Sequence, residues 1–262
     1  MRDKIHMLGC DGQYKTTLTK PETHQDKHFS CYGIAVSLHS HHIMAIYDAG
    51  LLMDSVYATV AVYSGDGEYL HCFTTLTSPK RAQRPGCLAV DKDEQAVVVV
   101  HNGACEKAVI TIHKCPSGEL IRKVTTDRKL SSDRATMAIN SKKHILVHIY
   151  ESCSVWTNVH CLDYSGNTLF TLFPDTLDSY LYPHGIVCDQ SDNIYIAMGP
   201  HNPGADRKKA EFGRINKYSP CGTFLQIAVR DILHIPYVLA IAADGSLVVS
   251  DQNSIRRCHV WL

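Results

Sequence analysis

Apolar residues in this chain come in short runs, and turn-forming residues separate the runs. The pattern is clearest between Pro183 and Val229. Pro183-His184-Gly185-Ile186-Val187-Cys188-Asp189 is followed by a turn at 190–193 and then by Ile194-Tyr195-Ile196-Ala197-Met198. A polar insertion, Gly199 to Phe212, precedes Gly213-Arg214-Ile215-Asn216-Lys217-Tyr218. A tight turn at Ser219-Pro220-Cys221-Gly222 leads into Thr223 to Val229. Runs of about 5–7 residues, β-branched and aromatic and bounded by turn residues, predict four antiparallel strands. Nowhere does a run of about 12 residues carry helical periodicity.

The same unit recurs along the chain. First-strand copies are Tyr32 to Ser37, Gly86 to Asp91, Ala135 to Asn140, Pro183 to Asp189 and Tyr237 to Ala242. One column holds Val36, Val90, Ile139, Cys188 and Ile241, at intervals of 54, 49, 49 and 53 residues. A second landmark is the glycine before each fourth strand: Gly12, Gly67, Gly118, Gly166 and Gly222. Strands follow these glycines at Tyr14 to Leu18, Glu68 to Phe73, Glu119 to Val124, Thr168 to Phe173 and Thr223 to Ala228. A single four-stranded sheet cannot bury both of its faces, whereas stacked sheets cover one another and leave only short edges. Two landmarks in one phase at this period predict an all-β fold, a β-propeller of four-stranded antiparallel blades. Lys4 to Leu8 and Tyr14 to Leu18 read as third and fourth strands, and Ile255 to Leu262 as a third. Pairing of the N- and C-terminal strands then closes five blades, or six if the N-terminal strands belong to a longer parent. Residues 1–262 form one domain in this reading.

Composition narrows the function classes. The 262 residues are 45% hydrophobic, enough for a sizeable core. Twenty-six basic and 26 acidic residues cancel, so no strong whole-chain attraction to DNA or to a membrane is expected. No apolar segment approaches the roughly 18–20 residues of a membrane span, and the N-terminus lacks a signal-peptide core. Eleven cysteines, many of them in strand runs and none as Cys-x-x-Cys, read as free thiols in a reducing compartment. No Asn-x-Ser/Thr sequon occurs. The cytoplasm is the expected location.

Pro183-x-Gly185-Ile186 with Asp189, then Ile194-x-Ile196, then a strand ending in Tyr218 and a glycine turn, resembles the NHL repeat. Asp48 and Asp251, each after a second strand, and the third-strand tyrosines Tyr63, Tyr164 and Tyr218 fit that resemblance. Arg134 and Thr136 depart from it, as do His101 and Tyr150 where the repeat carries Asp. The chain is similar to a divergent NHL-type propeller such as the C-terminal domain of tripartite-motif ubiquitin ligases. The resemblance implies the target-recognition part of such a ligase. No Cys/His spacing for a RING or B-box is present, so ligase chemistry is not expected here.

No Gly-x-Ser-x-Gly, His-Glu-x-x-His, phosphate-loop or dinucleotide motif occurs, and no cofactor is expected. His39, His41 and His42 form a turn with imidazole ligands, but third and fourth metal ligands are missing nearby. Asp91-Lys92-Asp93-Glu94, with Asp189 and Asp192, has the carboxylates calcium favours, without the EF-hand glycine or terminal glutamate. Acidic residues between strands are ordinary turn formers. The third constellation is basic. Loops before strand one and between strands two and three leave a propeller on one face. That face takes Lys80, Arg81, Arg84, Arg128, Lys129, Arg134, Arg207, Lys208 and Lys209, diluted by Asp127, Asp133, Asp206, Glu211 and Asp231. Tyr32, His184 and Tyr237 fall in equivalent columns at the channel mouth and offer stacking surfaces. Single-stranded RNA is the ligand such a face would hold. First-strand residues Ile34, Leu88, Met137, Ile186 and Leu239 make the channel apolar, which argues against a metal-dependent hydrolase or lyase. The leading expectation is therefore a non-enzymatic recognition module for a protein partner. RNA binding is the alternative.

Overall fold

The computed structural model describes residues 5–8, 13–18, 31–37, 39–48, 58–75, 84–101, 106–130, 135–149, 158–172, 181–200, 213–251 and 254–258. Among them every regular element is a strand. They lie in two compact units, Met1–Ala135 and Thr136–Leu262.

In the first unit, β1 (Ile5–Leu8) and β2 (Tyr14–Leu18) form an antiparallel pair. Blade one is β3 (Cys31–Val36), β4 (Ile43–Asp48), β5 (Ala58–Tyr63) and β6 (Tyr69–Thr74). Blade two is β7 (Arg84–Val90), β8 (Gln95–His101), β9 (Glu106–Lys114) and β10 (Leu120–Leu130). In the second unit, blade three is β11 (Thr136–Ile139), β12 (Ile145–Ile149), β13 (Asn158–Leu162) and β14 (Thr168–Leu172). Blade four is β15 (Leu181–Cys188), β16 (Ile194–Pro200), β17 (Gly213–Tyr218) and β18 (Phe224–Leu233). Blade five comprises β19 (Pro236–Ile241), β20 (Leu247–Asp251) and β21 (Ser254–Cys258) among the described residues. Each strand pairs with its sequence neighbour, so the five repeats read from the sequence are the five blades.

The middle strands do not alternate between buried and exposed. Ala58–Tyr63 is buried throughout, because a sheet lies against each of its faces. Met44, Ile46, Val60 and Val62 of blade one pack on Leu88, Val98 and Val100 of blade two. Leu146, Val159 and Cys161 of blade three meet Ile186, Ile196 and Met198 of blade four. On the other face of blade four, Tyr195, Ala197 and Ile215 meet Leu239, Leu247 and Val249 of blade five.

These contacts correct the reading of the first strands. Leu88, Ile186 and Leu239 are buried in these contacts and do not line a channel, Met137 is buried as well, and Ile34 is 48% exposed. A side chain stands perpendicular to its own sheet, so it points into the neighbouring blade. Strand ends are corrected too. β10 continues to Leu130 because its partner β9 extends with it, and β18 continues to Leu233, which pairs with Gly213 at the start of β17 across a bulge. Arg128 and Lys129 therefore stand in a ladder, Lys129 opposite Lys107, and Arg84 opens β7 opposite His101. Tyr164 lies in the turn after β13, while Tyr63 and Tyr218 end third strands as expected.

The glycine turns hold the repeat together. The Gly67 N–H donates to the Ser64 carbonyl, with Gly118, Gly166 and Gly222 making the equivalent bond to Lys114, Asp163 and Ser219. Their φ values of +75° to +91° put these residues in the left-handed region that favours glycine. The turns also seat the preceding fourth strand. A Cβ on Gly118 would meet Phe73 of β6, and one on Gly222 would meet Phe170 of β14. A Cβ on Gly67 would meet Leu18 and Thr16. β2 thus takes against blade one the fourth-strand place that the sequence assigns it.

Candidate functional site

The turns between first and second strands carry the acidic constellation, and the carboxylates of Asp91, Glu94, Asp189 and Asp192 are engaged. Asp91 Oδ1 accepts from the N–H of Asp93 at 2.9 Å and of Gln95 at 2.8 Å. Asp189 Oδ1 accepts from Ser191 and Asn193 in the same way, at 2.9 and 2.8 Å, and Asn140 repeats the arrangement in blade three. These are Asx turns, in which a short side chain substitutes for a missing backbone acceptor.

Glu94 and Asp192 act between blades. Both sit at left-handed turn positions, φ 60° and 62°, which aims each side chain at the turn of the blade before it. Glu94 accepts from the Ser37 hydroxyl (2.6 Å to Oε1), the Ser40 hydroxyl (2.7 Å) and the His39 N–H (3.0 Å). Asp192 accepts from the Ser141 N–H at 2.8 Å and the Ser141 hydroxyl at 2.6 Å. Desolvation alone would raise the Glu94 carboxyl, yet the donations from Ser37, Ser40 and His39 hold it down at about 2. The calcium candidate resolves into turn formation and blade-to-blade clasps.

The histidine turn does not converge either. His39 Nδ1 lies 3.4 Å from Glu94 Oε1, while His41 takes a left-handed backbone and His42 faces inward with a buried Nδ1. Among the described residues no three His, Cys, Asp or Glu side chains could share a metal ion. Asp251, placed by the repeat motif, is buried and structural. Its Oδ1 accepts from the N–H of His234 at 2.9 Å and of Ile235 at 2.7 Å, tying down the approach to β19.

On the expected basic face, Lys80, Arg81, Arg134, Arg207, Lys208 and Lys209 lie outside the described residues, as do the side chains of Arg84, Arg128 and Lys129. Of the three aromatics, His184 and Tyr237 come together, ring centroids 5.1 Å apart and edge to face. Tyr32 belongs to the first unit and packs on the core between blades one and two. Beside the His184–Tyr237 pair, Val238 is 62% exposed and Tyr237 37% exposed.

Sequence reasoning passed over His148. It stands on β12, is 5% exposed, and its Nε2 has no hydrogen-bond partner among the described residues. Burial pushes its imidazole down, and the neighbouring His184 and His160 push it further, to about 3. Its only signal in the sequence is a histidine inside an apolar strand run.

No protein-family model matches the chain, and no curated protein matches it. Solved structures do. The chain is similar to a chain of the nidogen/laminin complex at 13% identity and a TM-score of 0.63, covering 97% of this chain and 85% of that one. It is similar to a streptogramin B lyase at 15% identity and a TM-score of 0.57, covering 99% of this chain and 73% of the lyase. It is also similar to the Dos1 propeller at 8% identity and a TM-score of 0.56, covering 97% and 73%. At such identities the likeness concerns the fold alone, and by fold this chain is a β-propeller.

Proposed function

We propose that this propeller is a non-enzymatic recognition module that binds a protein partner. The observation carrying this reading is apolar surface on first strands held by packed blades. Ile34 and Val36 on β3 are 48% and 52% exposed, and Tyr237 and Val238 stand out from β19. Aromatic and aliphatic side chains on a rigid support are what the buried centre of a protein interface uses. The carboxylates that would otherwise argue for metal chemistry serve turns and clasps. One similar fold belongs to a protein–protein complex, nidogen/laminin, and another to a streptogramin B lyase. In a ligase of the tripartite-motif kind this module would select the target. The eight described cysteines carry free thiols, which suits the cytoplasm.

Crosslinking in cytosol tests the reading, with the wild-type chain beside Val238→Asp and an Ile34→Asp/Val36→Asp pair. Binding of one partner that persists from low to moderate salt and is lost in one of the two variants is the expected result. A parallel titration with random single-stranded RNA covers the basic loops. Binding that falls steeply with salt and disappears when Arg207, Lys208 and Lys209 become Glu would make the chain an RNA reader instead.

A further inference from the structure

Blades three and four bury histidine on strands that carry no acid, and among the described residues their one buried acid, Asp192, sits in the turn between β15 and β16. His148 on β12 and His184 on β15 lie on strands of neighbouring sheets that pack on one another. His148 is buried with no partner for its Nε2 among the described residues, and His160 on β13, also buried, is the third histidine nearby. Strands β11 to β17 contain no Asp or Glu at any position. The titratable and charged groups on them, besides the three histidines, are Cys161, Tyr182, Cys188, Tyr195, Arg214, Lys217 and Tyr218. Two of these are fixed cations. Among the described residues of blades three and four, the acids Asp163, Asp189 and Asp192 sit in turns at the ends of β13 and β15, whereas His148 is one residue from the opposite end of β12. His160 Nδ1 is held 3.0 Å from the Thr171 hydroxyl. His184 packs edge to face on Tyr237, beside the most exposed residues of β19.

We propose that the contact between blades three and four is an acid-sensitive latch, in which protonation of His148 against His184 parts β12 from β15 and frees the ring of His184 from Tyr237. A proton on His148 meets another imidazole and finds no carboxylate in the strands around it, so it is accommodated only when the strands separate and water enters. The latch is closed at neutral pH and loosens as the pH falls through the range in which an exposed histidine charges, about 6.5. The inference stands apart from the recognition reading, although the residues it moves adjoin the surface assigned there.

Hydrogen exchange on the full chain at pH 7 and pH 5 is the test, with β4 and β5 of blade one as the internal reference for intrinsic rate changes. If opening restores an ordinary histidine to His148, protection of β12 and β15 falls about 25-fold between those pH values relative to the reference. His148→Gln, neutral at both pH values, keeps its protection. Loss spread evenly over all blades, or an unchanged β12 and β15 in the wild type, overturns the latch without reference to any variant. An equal loss in His148→Gln overturns it as well.

Discussion

Single residues in this fold have roles that the neighbouring blade defines. Glu94 is an example: its carboxyl is held at about 2, below the ordinary 4.5, by donors from blade one. A depressed folded value contributes stability that is fully present above about pH 4.5 and disappears as the pH falls toward 2. Wild type is therefore more stable than Glu94→Gln near neutrality, and the gap in urea midpoint closes across that window. A gap constant from pH 6 to pH 2.5 would show that the clasp is not ionic. Two motif glycines separate by the same logic. A Cβ on Gly185 would lie 2.8 Å from the Tyr237 carbonyl oxygen and 3.0 Å from the Leu239 nitrogen, both backbone atoms of the next blade. At Gly33 the nearest atoms stand off at 3.4 Å. Gly185→Ala should cost about 1–3 kcal/mol by overpacking, and Gly33→Ala much less, in paired denaturation curves. Equal costs would mean that the first-strand glycine serves something other than inter-blade approach.

Elements here are marginal alone and are stabilised by the sheets against them. β1 and β2 form only a two-stranded ribbon, which is barely stable in water by itself. The pair stays ordered because Leu18 is buried with Ile43, Ala45, Tyr47, Ala61 and Tyr63 of blade one. Leu18→Ala should cost about 2–5 kcal/mol and expose β1 and β2 to hydrogen exchange before blade one. Uniform exchange would mean that the ribbon and blade unfold as one unit. β10 and β18 teach a related lesson. Their turn glycines and apolar starts are legible, but their far ends are polar, as in Thr125-Thr126-Asp127-Arg128-Lys129, and read as loop. Ladder bonds to β9 and β17 continue the strand where side-chain pattern stops.

At the scale of the molecule, the thiols report how completely the blades cover one another. Burial pushes the Cys115 and Cys161 thiols up to about 12 and that of Cys87 further still. Cys221, exposed in the turn before β18, is lowered by hydrogen bonds with Ser219 and Thr223. Brief alkylation at neutral pH followed by peptide mapping should label Cys221 in the native chain. Cys87, Cys115 and Cys161 should label only in denaturant, and their labelling in the native state would contradict the blade contacts. The repeat period and the alternation of strand runs with turn glycines were enough to read the blades. The candidate chemistry was less legible, since Asp91, Asp189 and Glu94 look alike as letters.

What the sequence determined by itself is local: where strands run, where left-handed turns fall, and how many times the unit repeats. Those follow from side-chain shape and from the conformational freedom of glycine, and neither needs a distant partner. Only the tertiary structure decided which side of a strand meets a neighbour. It buried Leu88, Met137, Ile186 and Leu239, converted acidic clusters into clasps on Ser37 and Ser141, and enclosed His148 beside His184. The physical reason is that burial and charge environment belong to pairs of sheets, and residues some fifty positions apart meet there.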